Sequence, residues 1–200
     1  MVCRLIKSSR ASEVAERLPS LGFAIKNERI EFNKAIDQLP DDMGTPMTWK
    51  NAEELSWQPQ DVAKILGLVA QGDPDTDPKE DPLVFIQDFI ADPVLTSGLN
   101  CIHIGFLQHE VAAMAVVQIN PKTGWSRISY MGIAPQFRNR GLGKWVHRYS
   151  FRKMQLEGGK LYHGGTVSTN LPMIALFKKH GCDQIHEMQE WVFKVNRGRR

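Results

Sequence analysis

Two hundred residues, 42% of them apolar, suffice for one hydrophobic core of ordinary size, with room for an appendage. Aromatic and β-branched residues are spread along the chain, which excludes wholesale disorder, and no apolar run approaches the roughly 20 residues of a membrane span. The net charge of +3 hides an asymmetry: residues 1–100 hold 10 Lys/Arg against 17 Asp/Glu, and residues 101–200 hold 15 against 5. The basic residues form no dense tract and accompany no nucleic-acid motif. The basic half is therefore read as facing an anionic ligand and the acidic half a cationic one, with no nucleic acid and no membrane as partner.

In chain order, residues 11–21 read as a short helix ended by Gly22, and 28–36 alternate like a strand. Residues 38–46, QLPDDMGTP, read as a linker, and MTWK after them as a short strand. Val62, Ile65, Leu66 and Val69 place an amphipathic helix over 61–70. An acidic loop, QGDPDTDPKEDP, leads to a second helix over 82–90 with proline in its first turn. Three meandering strands follow at 101–107, 111–119 and 125–133, the middle one apolar enough to be buried on both faces. Leu142, Trp145, Val146 and Tyr149 mark one face of a helix ending near Gly158-Gly159. A strand at 160–167, a helix at 170–180 stopped by Gly181, and a strand at 187–195 complete the order, with a solvated tail NRGRR. This is a mixed α/β sheet of α+β type, not a regular βαβ repeat. Cys3, Cys101 and Cys182 are odd in number and far apart, and MVCRLIKSSR lacks the apolar block of a secretory signal. Both features predict a reducing, cytoplasmic setting, with Cys101 and Cys182 in the core.

The stretch FRNRGLGKW, 137–145, poses a chemical question. A helix start leaves main-chain N–H groups without partners and carries about half a positive charge. Glycines at 141 and 143 let a ligand approach the backbone, and Arg138, Arg140 and Lys144 add charge. Together these suit a phosphate or pyrophosphate. The Walker A pattern fails, because Trp145 replaces Ser/Thr and Arg138 occupies the first glycine position. The dinucleotide fingerprint fails because Val146 stands where its third glycine belongs. A calcium loop at Asp73, Asp75 and Asp77 fails because Pro78 replaces its glycine and Val84 its glutamate, so no metal site is assigned.

MGIAPQFRNRGLGKWV resembles the central motif of the GNAT superfamily of acyl-CoA-dependent N-acyltransferases, a strand followed by [QR]-x-x-G-x-[GA] opening a helix. Arg138, Gly141 and Gly143 fill its marked positions. Downstream, NLPMIALFKKHGC (170–182) resembles the family's second motif, with Asn170, Leu176, Lys179 and Gly181 matching and Met173, Phe177 and Cys182 departing. The resemblance implies a largely antiparallel sheet with splayed central strands flanked by helices. It divides the chain into an extension, 1–40, and a GNAT-like domain, 41–200. It implies acetyl-CoA as acyl donor, contacted by Met131, Ile133, Arg138, Asn139, Arg140, Gly141, Leu142, Gly143, Lys144, Asn170 and Phe177. Strands 125–133 and 160–167 would part to admit the pantetheine arm.

The implied reaction is acyl transfer to a primary amine of a small molecule or peptide. Phe177 replaces the Tyr that customarily protonates the leaving sulfur, and Arg127 stands where some members place a carboxylate base. The catalytic residues are therefore left open, with His163, Tyr130 and Ser168 as candidates, and Tyr162 beside them. A CoA-binding module without turnover is the alternative reading. The acidic loop is either solvated or attracts the cationic acceptor. Residues 11–35 echo the chain's end: Gly22 precedes Glu31-Phe32 by the step at which Gly181 precedes Glu190-Trp191, and Glu28 matches Glu187. One reading makes residues 1–36 a remnant of a preceding GNAT-like unit.

Overall fold

The computed structural model describes residues 2–7, 9–37, 44–77 and 79–193; most of the expected 38–46 linker and the NRGRR tail lie outside them. Eight strands form one mostly antiparallel sheet flanked by helices. The chain divides into two compact units: Lys34–Gly164, and the described residues up to Asn33 together with those from Gly165 onward.

In the larger unit the strands lie in the order β7-β6-β5-β4-β3: β3 (Thr48–Asn51), β4 (Ile102–Leu107), β5 (Glu110–Ile119), β6 (Trp125–Ile133) and β7 (Leu161–Val167), the last running on into the second unit. β5 is buried from Ala112 to Ile119, as its unbroken apolar run requires of a central strand. α2 (Pro59–Val69) turns Val62, Ala63, Leu66 and Val69 inward. Its N-terminus is closed by a capping box in which Gln58 and Asp61 satisfy each other's backbone N–H. α3 (Pro82–Ile90) starts on Asp81, whose carboxylate accepts the Leu83 N–H at 2.9 Å.

β6 reaches β7 through α4 (Gly143–Leu156), a parallel crossover. The buried face of α4 is Val146, His147, Ser150, Phe151 and Met154, so it is turned away from the face expected from Trp145 and Tyr149. Two polar residues share that face. Ser150 is accommodated because its hydroxyl donates to the Val146 carbonyl at 2.9 Å. Tyr149 instead stacks on Trp49 at 4.0 Å, and its hydroxyl lies 3.0 Å from Nδ1 of buried His103 on β4. Burial, and then the Lys153 charge, hold that imidazole down to a pKa of about 3, so it is neutral at pH 7. Cys101 is buried and its thiol is pushed up to about 12 by burial, as befits a core residue; Cys182 is buried as well.

The smaller unit holds β1 (Val2–Ile6), α1 (Ser9–Arg17), β2 (Phe23–Ala35, to Asn33), the end of β7, α5 (Leu171–Lys179) and β8 (Asp183–Phe193). β1 is a strand that no sequence pattern announced. β8 lies between β1 and β2 and is antiparallel to both. The sequence echo is spatial. Gly22 and Gly181 are 159 residues apart (181 − 22), and both end a helical segment in the left-handed region, φ 86° and 65°. The β2–β8 register is symmetric under that same shift: Glu28 faces Gln189 while Ile30 faces Glu187, and Asn27 faces Glu190 while Glu31 faces His186. Arg29 faces Met188, its own image, so a local two-fold axis passes between them. Glu31 and Glu190 are both buried, as are Phe32 and Trp191.

Candidate active site

β6 pairs along its length with β5, but with β7 only at Trp125↔Leu161 and Ser126↔Tyr162. Among the described residues no further β6–β7 pair forms, so within the larger unit the two strands part beyond Ser126 and Tyr162, a wedge closed at Trp125 whose β6 side runs on to Ile133. The parting has a local cause. Val116 faces Tyr130 and Val117 faces Ile128, which leaves Ser129 as an extra residue in β6. Such a bulge bends the strand and increases its twist. It also breaks the alternation of side chains, so Arg127 and Tyr130 both face the helices α2 and α3, where strict alternation would separate them. Arg127 meets Asp92 just beyond α3, and Tyr130 lies in the space beside Gly132 with Val69 of α2.

The open end of the wedge leads into the glycine loop. Asn139 and Gly141 take left-handed backbone, φ 61° and 69°. α4 then starts with Leu142 at the N-cap, which supplies no side-chain cap. Helices usually begin on Ser, Thr, Asp or Asn because a side-chain oxygen satisfies the first N–H groups. Here, among the described residues, the main-chain N–H groups from Asn139 to Lys144 meet no acceptor. A Cβ built on Gly141 would meet nothing within 4 Å, so the loop opens outward at that point. Arg140 lies over the Phe137 ring at 5.3 Å, and Lys144 and Arg148 lie against the Trp145 ring at 4.9 and 5.3 Å. The aromatic rings hold the cations at the helix start. Six bare amides, a helix dipole and three nearby cations fit a pyrophosphate.

The remaining anticipated residues take varied positions. Met131 and Ile133 are half-buried on β6, opposite Ala115 and Ala113. Arg138 is engaged within the chain: its amide donates to Pro135 O at 3.2 Å, Nε to Ile133 O at 2.9 Å and Nη2 to Val69 O at 3.0 Å. It therefore ties the end of β6 to the end of α2. In the smaller unit, Asn170 caps α5 by accepting the Met173 N–H at 3.2 Å. Phe177 is buried and stacks on Phe32 at 4.4 Å. The Ser168 N–H donates to Glu28 O at 2.7 Å.

Of the catalytic candidates, His163 stacks on Trp125 at 5.8 Å, beside the closed end. Tyr162 is fully buried, its hydroxyl filling the space beside Gly164. The Tyr130 hydroxyl is buried close to Thr76 and Asp73. Burial, and then the nearby Asp73 carboxylate, push its pKa well up, so it stays protonated at neutral pH. Asp73 also closes its own loop, accepting from the Asp75 N–H and the Thr76 hydroxyl, each at 3.0 Å.

Sequence reading missed the surroundings of Arg127. Its Nη2 donates to Asp92 at 3.2 Å and to Gln118 at 3.1 Å, and its Nε to Ser129 at 2.7 Å. Asp92 also accepts the Val94 and Leu95 N–H groups, each at 2.9 Å, and those bonds hold its pKa below the usual carboxylate range. The charge at Arg127 is thus neutralised in place. An Asp-Pro pair just past a helix was the one available signal for such a turn.

The model of the Acetyltransferase (GNAT) family matches residues 60–182. No curated protein sequence matches the chain. Among solved structures, a GCN5-related N-acetyltransferase from Sphaerobacter thermophilus superposes with a TM-score of 0.67 at 14% identity, over 95% of this chain and 58% of that one. One from Kribbella flavida gives 0.62 at 15% identity, over 98% and 68%. A tandem GNAT protein from the clavulanic acid biosynthesis pathway gives 0.61 at 11% identity, over 95% and 62%. The chain thus spans 58% of the length of the Sphaerobacter protein. At such identities the superpositions show the fold. The family match covers more than half of the sequence and includes both the glycine loop and the α5 motif, so the chain belongs to the GNAT acetyltransferase family.

Proposed function

We propose that this protein is an N-acyltransferase that moves an acetyl or other short acyl group from acyl-CoA to a primary amine. The single observation that carries this reading is the uncapped start of α4, with its bare amides from Asn139 to Lys144. Those amides, with Arg140 and Lys144, would hold the pyrophosphate, and Met131 and Ile133 would lie along the pantetheine arm. Acetyl-CoA, when bound, supplies an acyl group activated as a thioester. The chain's own contribution is to hold donor and amine together, which is worth several kcal/mol. An alkylamine of pKa roughly 10.4 also has to lose a proton, about 4.6 kcal/mol uphill at pH 7. His163 is suited to accept that proton, and Tyr130, kept protonated, to donate a hydrogen bond. Release of thiol from acetyl-CoA over a panel of amines tests the reading; release at the hydrolysis rate with every amine would sink it.

A second reading, a CoA-binding module without turnover, is favoured by two residues. Phe177 has no proton to give, and Arg127 is paired with Asp92 where a base is customary. The two readings separate in the same assay, because both predict CoA binding and only the first predicts thiol release. We also propose that residues 1–36 are the remnant of a preceding GNAT-like unit, a reading supported by the symmetric β2–β8 register within the smaller unit.

A further inference from the structure

At the closed end of the wedge, the segment after α3, the turn before β6 and the first residues of β6 and β7 line an open cavity of about 770 Å³. Val94, Leu95, Trp125 and Leu161 form its apolar walls, and the Arg127–Asp92 pair stands among them. We infer that this cavity receives the acceptor, and that the acceptor is a monoamine with an aryl or branched alkyl body rather than a polyamine or a lysine-rich peptide.

Three observations support this inference, which rests on the acyltransferase reading above. The first is place. Among the described residues β6 and β7 pair at Trp125↔Leu161 and Ser126↔Tyr162, where an arm lying along β6 from the glycine loop would end, and Trp125 and Leu161 themselves line the cavity. The second is the walls. Val94 is 62% exposed and Leu161 40%, beside a half-buried indole. Large apolar side chains grouped around a concavity gain by being covered with an apolar ligand. The third is charge. Asp92 is the cavity's carboxylate, and it already accepts two backbone N–H groups and the Arg127 guanidinium. A second ammonium on the ligand would find no unengaged carboxylate among the lining residues, and desolvating it there would go uncompensated. Recognition therefore falls on the body of the amine.

The test is calorimetric titration of the full chain with 2-phenylethylamine and with spermidine, in wild type, Trp125→Ala and Leu161→Ser. Circular dichroism and melting temperature confirm that each variant folds. The expected result is saturable binding of 2-phenylethylamine, weakened about tenfold or more in both variants, with spermidine binding more weakly than 2-phenylethylamine in wild type. Tighter spermidine binding, equal 2-phenylethylamine affinity in all three proteins, or no saturable 2-phenylethylamine binding would each overturn it. A parallel CoA titration separates the two layers: failure of CoA to bind defeats the acyltransferase reading itself. CoA binding without amine binding defeats only the assignment of the cavity.

Discussion

At the open end of the β6–β7 wedge the protein offers main chain; at the closed end it offers side chains. The open end is six amides, two left-handed residues and a helix start without a cap, with cations braced on Phe137 and Trp145. At the closed end the charged groups are mutually satisfied, Arg127 by Asp92 and Gln118, and what is left over is apolar wall. An anion can be held by any sequence that gives the backbone the right shape, whereas a particular amine needs particular side chains. On the proposed reading, the comparison teaches that a local pattern specifies the donor and tertiary assembly the acceptor.

The largest effect expected is at the open end. Gly141→Asp puts a side chain where φ is 69° and a negative charge at the proposed anion site, and CoA affinity should fall about 100-fold or more by calorimetry. Unchanged affinity would break the comparison. Acid should act next, through the scaffold that holds α4. The folded His103 pKa of about 3 lies below its ordinary 6.5, so its contribution to stability is complete above pH 6.5. Below that it is lost at about 1.4 kcal/mol per pH unit, because the unfolded chain takes up the proton first. Urea unfolding at pH 7 and pH 5 should differ by about 2 kcal/mol from this group, and His103→Gln should remove that part of the slope.

Smaller effects sharpen the contrast. Arg127→Ala should lower stability by about 1 kcal/mol in urea unfolding, a modest loss because the guanidinium is 37% exposed, while CoA affinity stays within about twofold. Lys144→Ala should weaken CoA by roughly threefold at low salt and less at high salt, since a half-buried cation at the surface is still screened. A salt-independent loss would mean that Lys144 acts through packing on Trp145.

Legibility in the sequence follows the same division. α2, α3 and the strands from β4 to β8 were readable because each carries its own period or apolar run, and the α4 loop because its glycines and cations are contiguous. β1 was not, since five residues with an arginine in the middle become a strand only beside β8. The buried face of α4 was misplaced because Trp145 and Tyr149 outweighed His147 and Ser150; the Ser150 hydroxyl is accommodated by the Val146 carbonyl one turn back, and His147 packs against Phe151 and Tyr162. The bulge at Ser129 has no side-chain signature, yet it decides which β6 residues face α2 and α3. The closed-end cavity draws on residues 92–95, 120, 123, 125, 127 and 161, which are brought together only in the folded sheet.

Amide chemical shifts test the central claim most directly. In a uniformly ¹⁵N-labelled sample titrated with CoA, the N–H signals of Arg140, Gly141, Leu142, Gly143 and Lys144 should move together and saturate with one dissociation constant, shifting further than those of any other loop. If CoA binds while these five signals stay in place, the uncapped start of α4 is not the pyrophosphate site.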